Sequence, residues 1–185
     1  MRATRGGESA LLLLDVVESL VAHKIDYAVI GALAASIHGV VRASMDADVL
    51  LSVSVQEVNT LEVAFKGAGF RTELRRGDFQ DPIPGMLKVS DSHGNRVDLL
   101  LGLRGTDPHA FSRLVEIPFQ GATLKFIGRE DFIAMKVFAG GPMDLVDAAR
   151  AISAGRDFLD MELLRRLAKR YGRDASETLE RVLAG

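Results

Sequence analysis

Residues 45–51 read Met-Asp-Ala-Asp-Val-Leu-Leu, and residues 96–101 read Arg-Val-Asp-Leu-Leu-Leu. Both are short apolar runs of strand length that carry carboxylates near one end. Side chains on a strand alternate with period two, so Asp46 and Asp48 leave the same face. Two like charges side by side repel and raise each other's pKa, and a divalent cation between them removes that cost. Asp98 lies inside an otherwise apolar strand, where a carboxylate is costly unless it is paired or metal-bound. If the two strands are neighbours, Asp46, Asp48 and Asp98 meet at one edge of a sheet. An all-oxygen site of this kind suits magnesium, which takes further ligands from water and from substrate phosphates. The plainer alternatives are that Asp46 and Asp48 form a solvated turn or helix cap, and that Asp98 pairs with Arg42 or Arg96.

Working outward, Ser9–Lys24 has helical spacing, with Leu12, Val16, Leu20 and Val21 on one stripe. Tyr27–Ile30 is a short strand closed by Gly31, and Ala32–His38 is a small-residue helix stopped by Gly39. Ala47–Val53 is the second strand, Val55–Ala68 a helix, and Phe70–Leu74 a further strand. Gly77–Gly85 contains two prolines and two aspartates and reads as a loop. Met86–Ser90 and Arg96–Leu101 are strands joined by the hairpin Asp91–Asn95. Val115–Phe119 and Ala122–Phe126 form a second hairpin. From Gly128 onward the pattern is helical only: Arg129–Ala139, Met143–Ala154, Met161–Tyr171 and Ala175–Leu183. The expectation is an α+β chain, with a mixed sheet flanked by helices in residues 1–127 and a helical region in residues 128–185 packed on it.

Composition narrows the classes. The chain has 185 residues, 48% of them hydrophobic, enough to bury a core. Its 23 Lys and Arg against 25 Asp and Glu leave a net charge of -2, so a broad basic face for duplex nucleic acid is not indicated, although a local patch is compatible. There is no cysteine, which excludes disulfides, thiolate chemistry and Cys-based zinc sites. Leu11–Leu14 is too short for a leader or a membrane span and is followed by Asp15 and Glu18. A soluble cytoplasmic protein without a membrane partner is expected. The four histidines, His23, His38, His93 and His109, lack metal-ligand spacing, and Gly31-Ala32-Leu33 is no dinucleotide fingerprint.

Gly31-Ala32-Leu33-Ala34-Ala35-Ser36-Ile37-His38-Gly39, followed by Arg42-Ala43-Ser44-Met45-Asp46-Ala47-Asp48, resembles the signature of the DNA polymerase beta superfamily of nucleotidyltransferases. More narrowly it is similar to the minimal prokaryotic branch that includes AbiEii-type toxins and small antitoxin nucleotidyltransferases. The tail Glu130-Asp131-Phe132-Ile133-Ala134-Met135-Lys136, with Asp144-Leu145-Val146-Asp147, resembles that branch's closing region. The resemblance implies that Asp46 and Asp48 bind two magnesium ions and that Asp98 holds one of them beside an acceptor hydroxyl. It also implies a nucleoside triphosphate as substrate and a protein, an RNA or a small molecule as acceptor, with a partner toxin or antitoxin as a further possibility. Gly31 would admit the phosphates to the backbone, the Ala32 amide would donate to them, and Lys136 takes a phosphate-binding position. Arg42 would contact phosphate or brace Asp46.

Three departures stand out. Ala32 replaces a serine found in many relatives. Ser44 replaces a threonine but keeps the hydroxyl. Gly140-Gly141-Pro142-Met143 stands where relatives place basic residues. They favour, as the alternative, a catalytically degenerate module that binds nucleotide or a partner.

Overall fold

The computed structural model describes residues 1–42, 44–53 and 57–185. In chain order the elements are α1 (Ser9–Ala22), β1 (Tyr27–Ile30), α2 (Gly31–Ile37), β2 (Asp46–Leu51), α3 (Val58–Gly67), β3 (Arg71–Arg76), β4 (Gly85–Ser90) and β5 (Arg96–Leu100). A 3-10 turn, Ala110–Ser112, precedes β6 (Val115–Phe119) and β7 (Ala122–Phe126). The chain then runs through α4 (Arg129–Ala139), α5 (Pro142–Gly155), α6 (Met161–Arg170) and α7 (Arg173–Ala184). Val55, where the sequence places the start of the third helix, lies outside the described residues.

The strands form one mixed sheet in the order β3-β4-β5-β2-β1-β7-β6. β2 is antiparallel to β1 and parallel to β5, and β1 is parallel to β7. β3, β4 and β5 form an antiparallel run ending in β3 as an edge strand. The apolar positions of β4 and β5, Leu87, Val89, Val97 and Leu99, are wholly buried on the face covered by α1 and α3. The alternate positions, Met86, Lys88, Arg96 and Asp98, stay partly open. One face of this half of the sheet therefore makes core while the other carries the polar groups, as expected of an antiparallel ribbon. Phe65, Phe132, Leu12 and Leu20 are among the large side chains sealed in the core.

The four C-terminal helices cluster around α4, which packs against α5, α6 and α7. Their limits follow local chemistry. Gly140 takes a left-handed conformation (φ 67°) at the end of α4, and Pro142 opens α5 at a position that needs no amide. Asp160 accepts from the Leu163 amide at 2.9 Å to cap α6. β3 begins one residue later and ends two residues later than its sequence suggests. Its run Arg-Thr-Glu-Leu-Arg-Arg is edge-exposed and lacks an apolar alternation to fix its ends.

Candidate active site

The parallel register of β2 and β5 sets Asp46 opposite Arg96 and Asp48 opposite Asp98. Cross-strand partners project to one face, so all four side chains gather at the beginning of two adjacent strands. A fifth residue fixes that alignment from a distance. The buried Ser9 hydroxyl, in the first turn of α1, donates to the Met45 carbonyl at 2.6 Å and accepts from the Arg96 amide at 3.1 Å. The Asp46 amide in turn donates to the Ser44 hydroxyl at 3.3 Å. Ala43 lies outside the described residues.

Gly31, immediately after β1, has φ +63°, and a Cβ there would overlap the Asp48 carboxylate. Only glycine lets the backbone turn into α2 this close to the acid. The Ala32 side chain is buried in the first turn of that helix.

Burial pushes the Asp48 carboxyl above its ordinary range. The neighbouring Asp98 and Asp46 charges add to the effect, and Lys136 and Arg42 oppose it without cancelling it. Burial also raises Asp98, against the pull of Arg96 and Lys88. Arg96 hydrogen-bonds Asp46 Oδ2, and its Nε lies 3.4 Å from Asp98 Oδ1. Yet both Arg96 Nε and Asp98 Oδ1 are buried without a hydrogen bond. Among the described residues no group of three His, Cys, Asp or Glu is gathered closely enough to hold a metal ion as it stands. Arg96 lies on Asp46 and reaches toward Asp98, where a shared cation would sit. Of the two arginines the sequence offers as partners of Asp98, it is Arg96 that approaches it.

The tail residues face this corner. Lys136 Nζ pairs with Asp144 at 2.6 Å and Asp147 at 3.0 Å, and it lies 5.7 Å from the Phe132 ring centroid. Arg42 Nε approaches the same Asp147 at 3.3 Å. The loop before β2 is thereby tied to α5, and Arg42 braces the tail, not Asp46. Asp147 is 1% exposed, and both its oxygens lack a well-formed hydrogen bond despite the adjacent cations. A cavity of about 260 Å³ opens between Gly31, Asp48, Ile83, Phe132, Met135 and Lys136. It is slightly below the ~300–1,000 Å³ of small-molecule sites. Depressions of similar size lie elsewhere, so volume does not single this one out; it is the one lined by Gly31, Asp48 and Lys136.

His38 lies outside this corner. Its Nε2 contacts the Ile127 carbonyl at 2.9 Å. Burial holds its pKa down at about 4, with Arg129 adding to the effect and the Ile127 carbonyl opposing it.

The sequence reading offered Arg96 as a partner of Asp98 but missed its bond to Asp46 and the pairing of Arg42 with Asp147. The strand register that sets Arg96 opposite Asp46 supplies the first. No comparable signal joins residue 42 to residue 147.

No protein-family model and no curated protein matches the chain. Solved structures do. The solution structure of the antibiotic-resistance factor ANT(2'')-Ia matches with TM-score 0.62 at 13% identity, covering 94% of this chain and 95% of that one. A crystal structure of ANT(2'')-Ia in complex with adenylyl-2''-tobramycin matches with TM-score 0.59 at 13% identity over 86% and 94% of the two chains. An antigenic nucleotidyltransferase-like protein from Paracoccidioides brasiliensis matches with TM-score 0.51 at 15% identity over 96% and 95%. At this identity the likeness establishes the architecture: the chain has the nucleotidyltransferase fold, an α+β mixed sheet with C-terminal helices. Among the described residues no helix is long and apolar enough to cross a membrane.

Proposed function

We propose that this chain transfers a nucleoside monophosphate from a nucleoside triphosphate to a hydroxyl, with magnesium. The observation that carries this reading is the register of Asp48 against Asp98, with the Gly31 backbone passing directly over Asp48. The donor set fits a hard cation: three carboxylates, two of them desolvated, and one buried oxygen of Asp98 without a hydrogen bond. Asp46, Asp48 and Asp98 would hold two magnesium ions, whose charge lowers the pKa of the attacking hydroxyl and offsets that of the departing pyrophosphate.

The remaining work belongs to the chain. The acceptor oxygen bonds to the α-phosphorus, the bond from that phosphorus to the bridging oxygen breaks, and pyrophosphate leaves. The hydroxyl proton passes to the Asp98 carboxylate. Gly31 leaves room for the triphosphate against the backbone, and Lys136, released from Asp144, neutralises phosphate. Ser44 holds the start of β2, and Arg42 holds α5 against the site through Asp147. The rigid sheet contributes chiefly by positioning these groups. In this scheme residues 1–127 carry the chemistry and residues 128–185 close the site.

That ANT(2'')-Ia is bound to an adenylylated tobramycin supports transfer to a hydroxyl as a use of this fold. A setting with a partner toxin or antitoxin rests on the sequence resemblance alone; a partner protein that co-purifies stoichiometrically with the chain would support it.

Calorimetry of ATP with and without magnesium tests the site. Magnesium-dependent binding is expected, with loss of about tenfold or more when Asp46→Ala and Asp48→Ala are combined. Equal binding by wild type and variant would place the site elsewhere.

A second reading, a silent nucleotide-binding module of the same fold, is favoured by the bond from Arg96 to Asp46 and by Ala32. Label moved from an α-labelled triphosphate to an acceptor, and lost in Asp98→Ala, excludes it.

A further inference from the structure

The cations around the carboxylate corner are tied to acids. Lys136 holds Asp144 and Asp147, and Arg42 holds Asp147. Those ties join α4, α5 and the loop before β2. The tie made by Arg96 is different, because it lies on the carboxylates themselves. Arg96 stands opposite Asp46 in the parallel register and two residues before Asp98 on β5. Its Nη2 bonds Asp46 Oδ2, and its Nε lies 3.4 Å from Asp98 Oδ1. One guanidinium thus spans the first and the third carboxylate.

That contact is incomplete. Arg96 Nε and Asp98 Oδ1 are both buried without a hydrogen bond, a cost that a pair built for stability alone would remove. Nor is the side chain sealed in: 37% of it is exposed, against 14% for Asp98, and a partly exposed pair is held weakly. The backbone, by contrast, is fixed, since the Arg96 amide donates to the Ser9 hydroxyl at 3.1 Å. The guanidinium can therefore turn out without moving the strand that carries Asp98. A divalent ion shared by Asp46 and Asp98 would meet this like charge at contact distance and has to displace it. A bare ion gives the released side chain no new partner. An ion that arrives on a triphosphate does, because phosphate oxygens accept from a guanidinium as a carboxylate does.

We infer that Arg96 is an internal counter-ion of the acid site, which bars free divalent metal and yields to metal and triphosphate together. This deepens the transfer proposed above and rests on that reading. Arg96 is in this sense a positioning residue: it sets the order in which the site is filled and takes no part in the chemical step. The silent-module reading gives the same contact another sense, with Arg96 standing in for the metal permanently.

Calorimetry of the full chain with manganese tests this, first with the chloride alone and then with its preformed complex with α,β-methylene-ATP, whose α–β linkage resists transfer. Wild type is expected to bind the complex, and to bind the free ion about tenfold more weakly than Arg96→Gln does. For the complex the two chains should differ much less. Arg96→Met, which keeps the apolar stem, should behave as Arg96→Gln does. Lys88→Gln removes the same charge from β4, opposite Asp98, and should gain far less affinity for the free ion. Equal affinity of wild type and both Arg96 variants for free manganese overturns the inference and, where all take up the complex, leaves the transferase standing. A gain in Lys88→Gln as large as that in Arg96→Gln also overturns it, because the effect then belongs to net charge and not to the contact with Asp46. Complex bound by the Arg96 variants but never by wild type makes Arg96 a permanent substitute for the metal, and overturns the transferase together with the inference. Complex bound by none of the chains does the same.

Discussion

Two arginines in this molecule each lie between two aspartates, and they do so differently. Arg113 grips Asp131 in bidentate fashion, Nε and Nη2 each donating at 2.8 Å, and reaches Asp107 at 3.2 Å. Asp107 also accepts from the His109 amide at 2.9 Å. Although burial alone would raise it, these donors hold the Asp107 carboxyl below its ordinary range. Arg96 bonds Asp46, falls short of Asp98, and leaves its own Nε and the Asp98 Oδ1 buried and unsatisfied. There, two carboxyls are pushed up instead of down. The same three residue types make a closed clamp in one place and an open acid site in the other. The difference is how many donors were built around the carboxylates. A completed network stabilises, whereas an incomplete one retains valence for something else.

The largest expected effect tests this directly. Arg113→Ala leaves two buried carboxylates without their partner and should cost about 3–5 kcal/mol in urea unfolding. Arg96→Ala removes a partly exposed pair and should cost less than about 1 kcal/mol. Similar losses for both would erase the distinction.

A titrating group outside both clusters has to be separated next. His38 is held at about 4 against an ordinary 6.5, so the unfolded chain takes up a proton first. Its contribution is fully present above pH 6.5 and is lost as pH falls toward 4, on the order of 3 kcal/mol in all. Wild type should lose stability across that window, and His38→Gln should not. A flat wild-type profile there would contradict the burial of this ring.

The smallest effect sharpens the contrast between the acids. Asp107, lowered in the fold, stabilises above its ordinary range near 3.8, and this is lost as pH falls through its lower folded value. Asp98, raised in the fold, has the opposite sign: ionising it as pH rises costs stability. At neutral pH Asp107→Asn should therefore lose about 1–3 kcal/mol, while Asp98→Asn should unfold at the same urea concentration as wild type or a higher one. Destabilisation of Asp98→Asn as large as that of Asp107→Asn would place both acids in the structural class.

Much of the open site could be read from sequence, because it depends on period two and on local punctuation. Asp46, Asp48 and Asp98 sit within apolar runs, and Gly31 closes a strand. The α+β layout follows from strand runs that give way to helical spacing after Gly128. The closed clamp was not legible. Asp107, Arg113 and Asp131 come from a loop, the end of a 3-10 turn and a helix, and no periodicity links them. Arg42 and Asp147 are likewise joined only by the way α5 folds back, and the limits of β3 were lost in a run of charges that exposes every second residue on an edge.

Ser9 bears on how the chain can be handled. Its hydroxyl is the peg on which both acid-bearing strands hang, and it lies far from either in sequence. The geometry of the chemistry is thus governed from the amino-terminal end. A version that lacks only this hydroxyl, Ser9→Ala, loses the fastening that sets one acid against another, so a folded preparation is no guarantee of an aligned site.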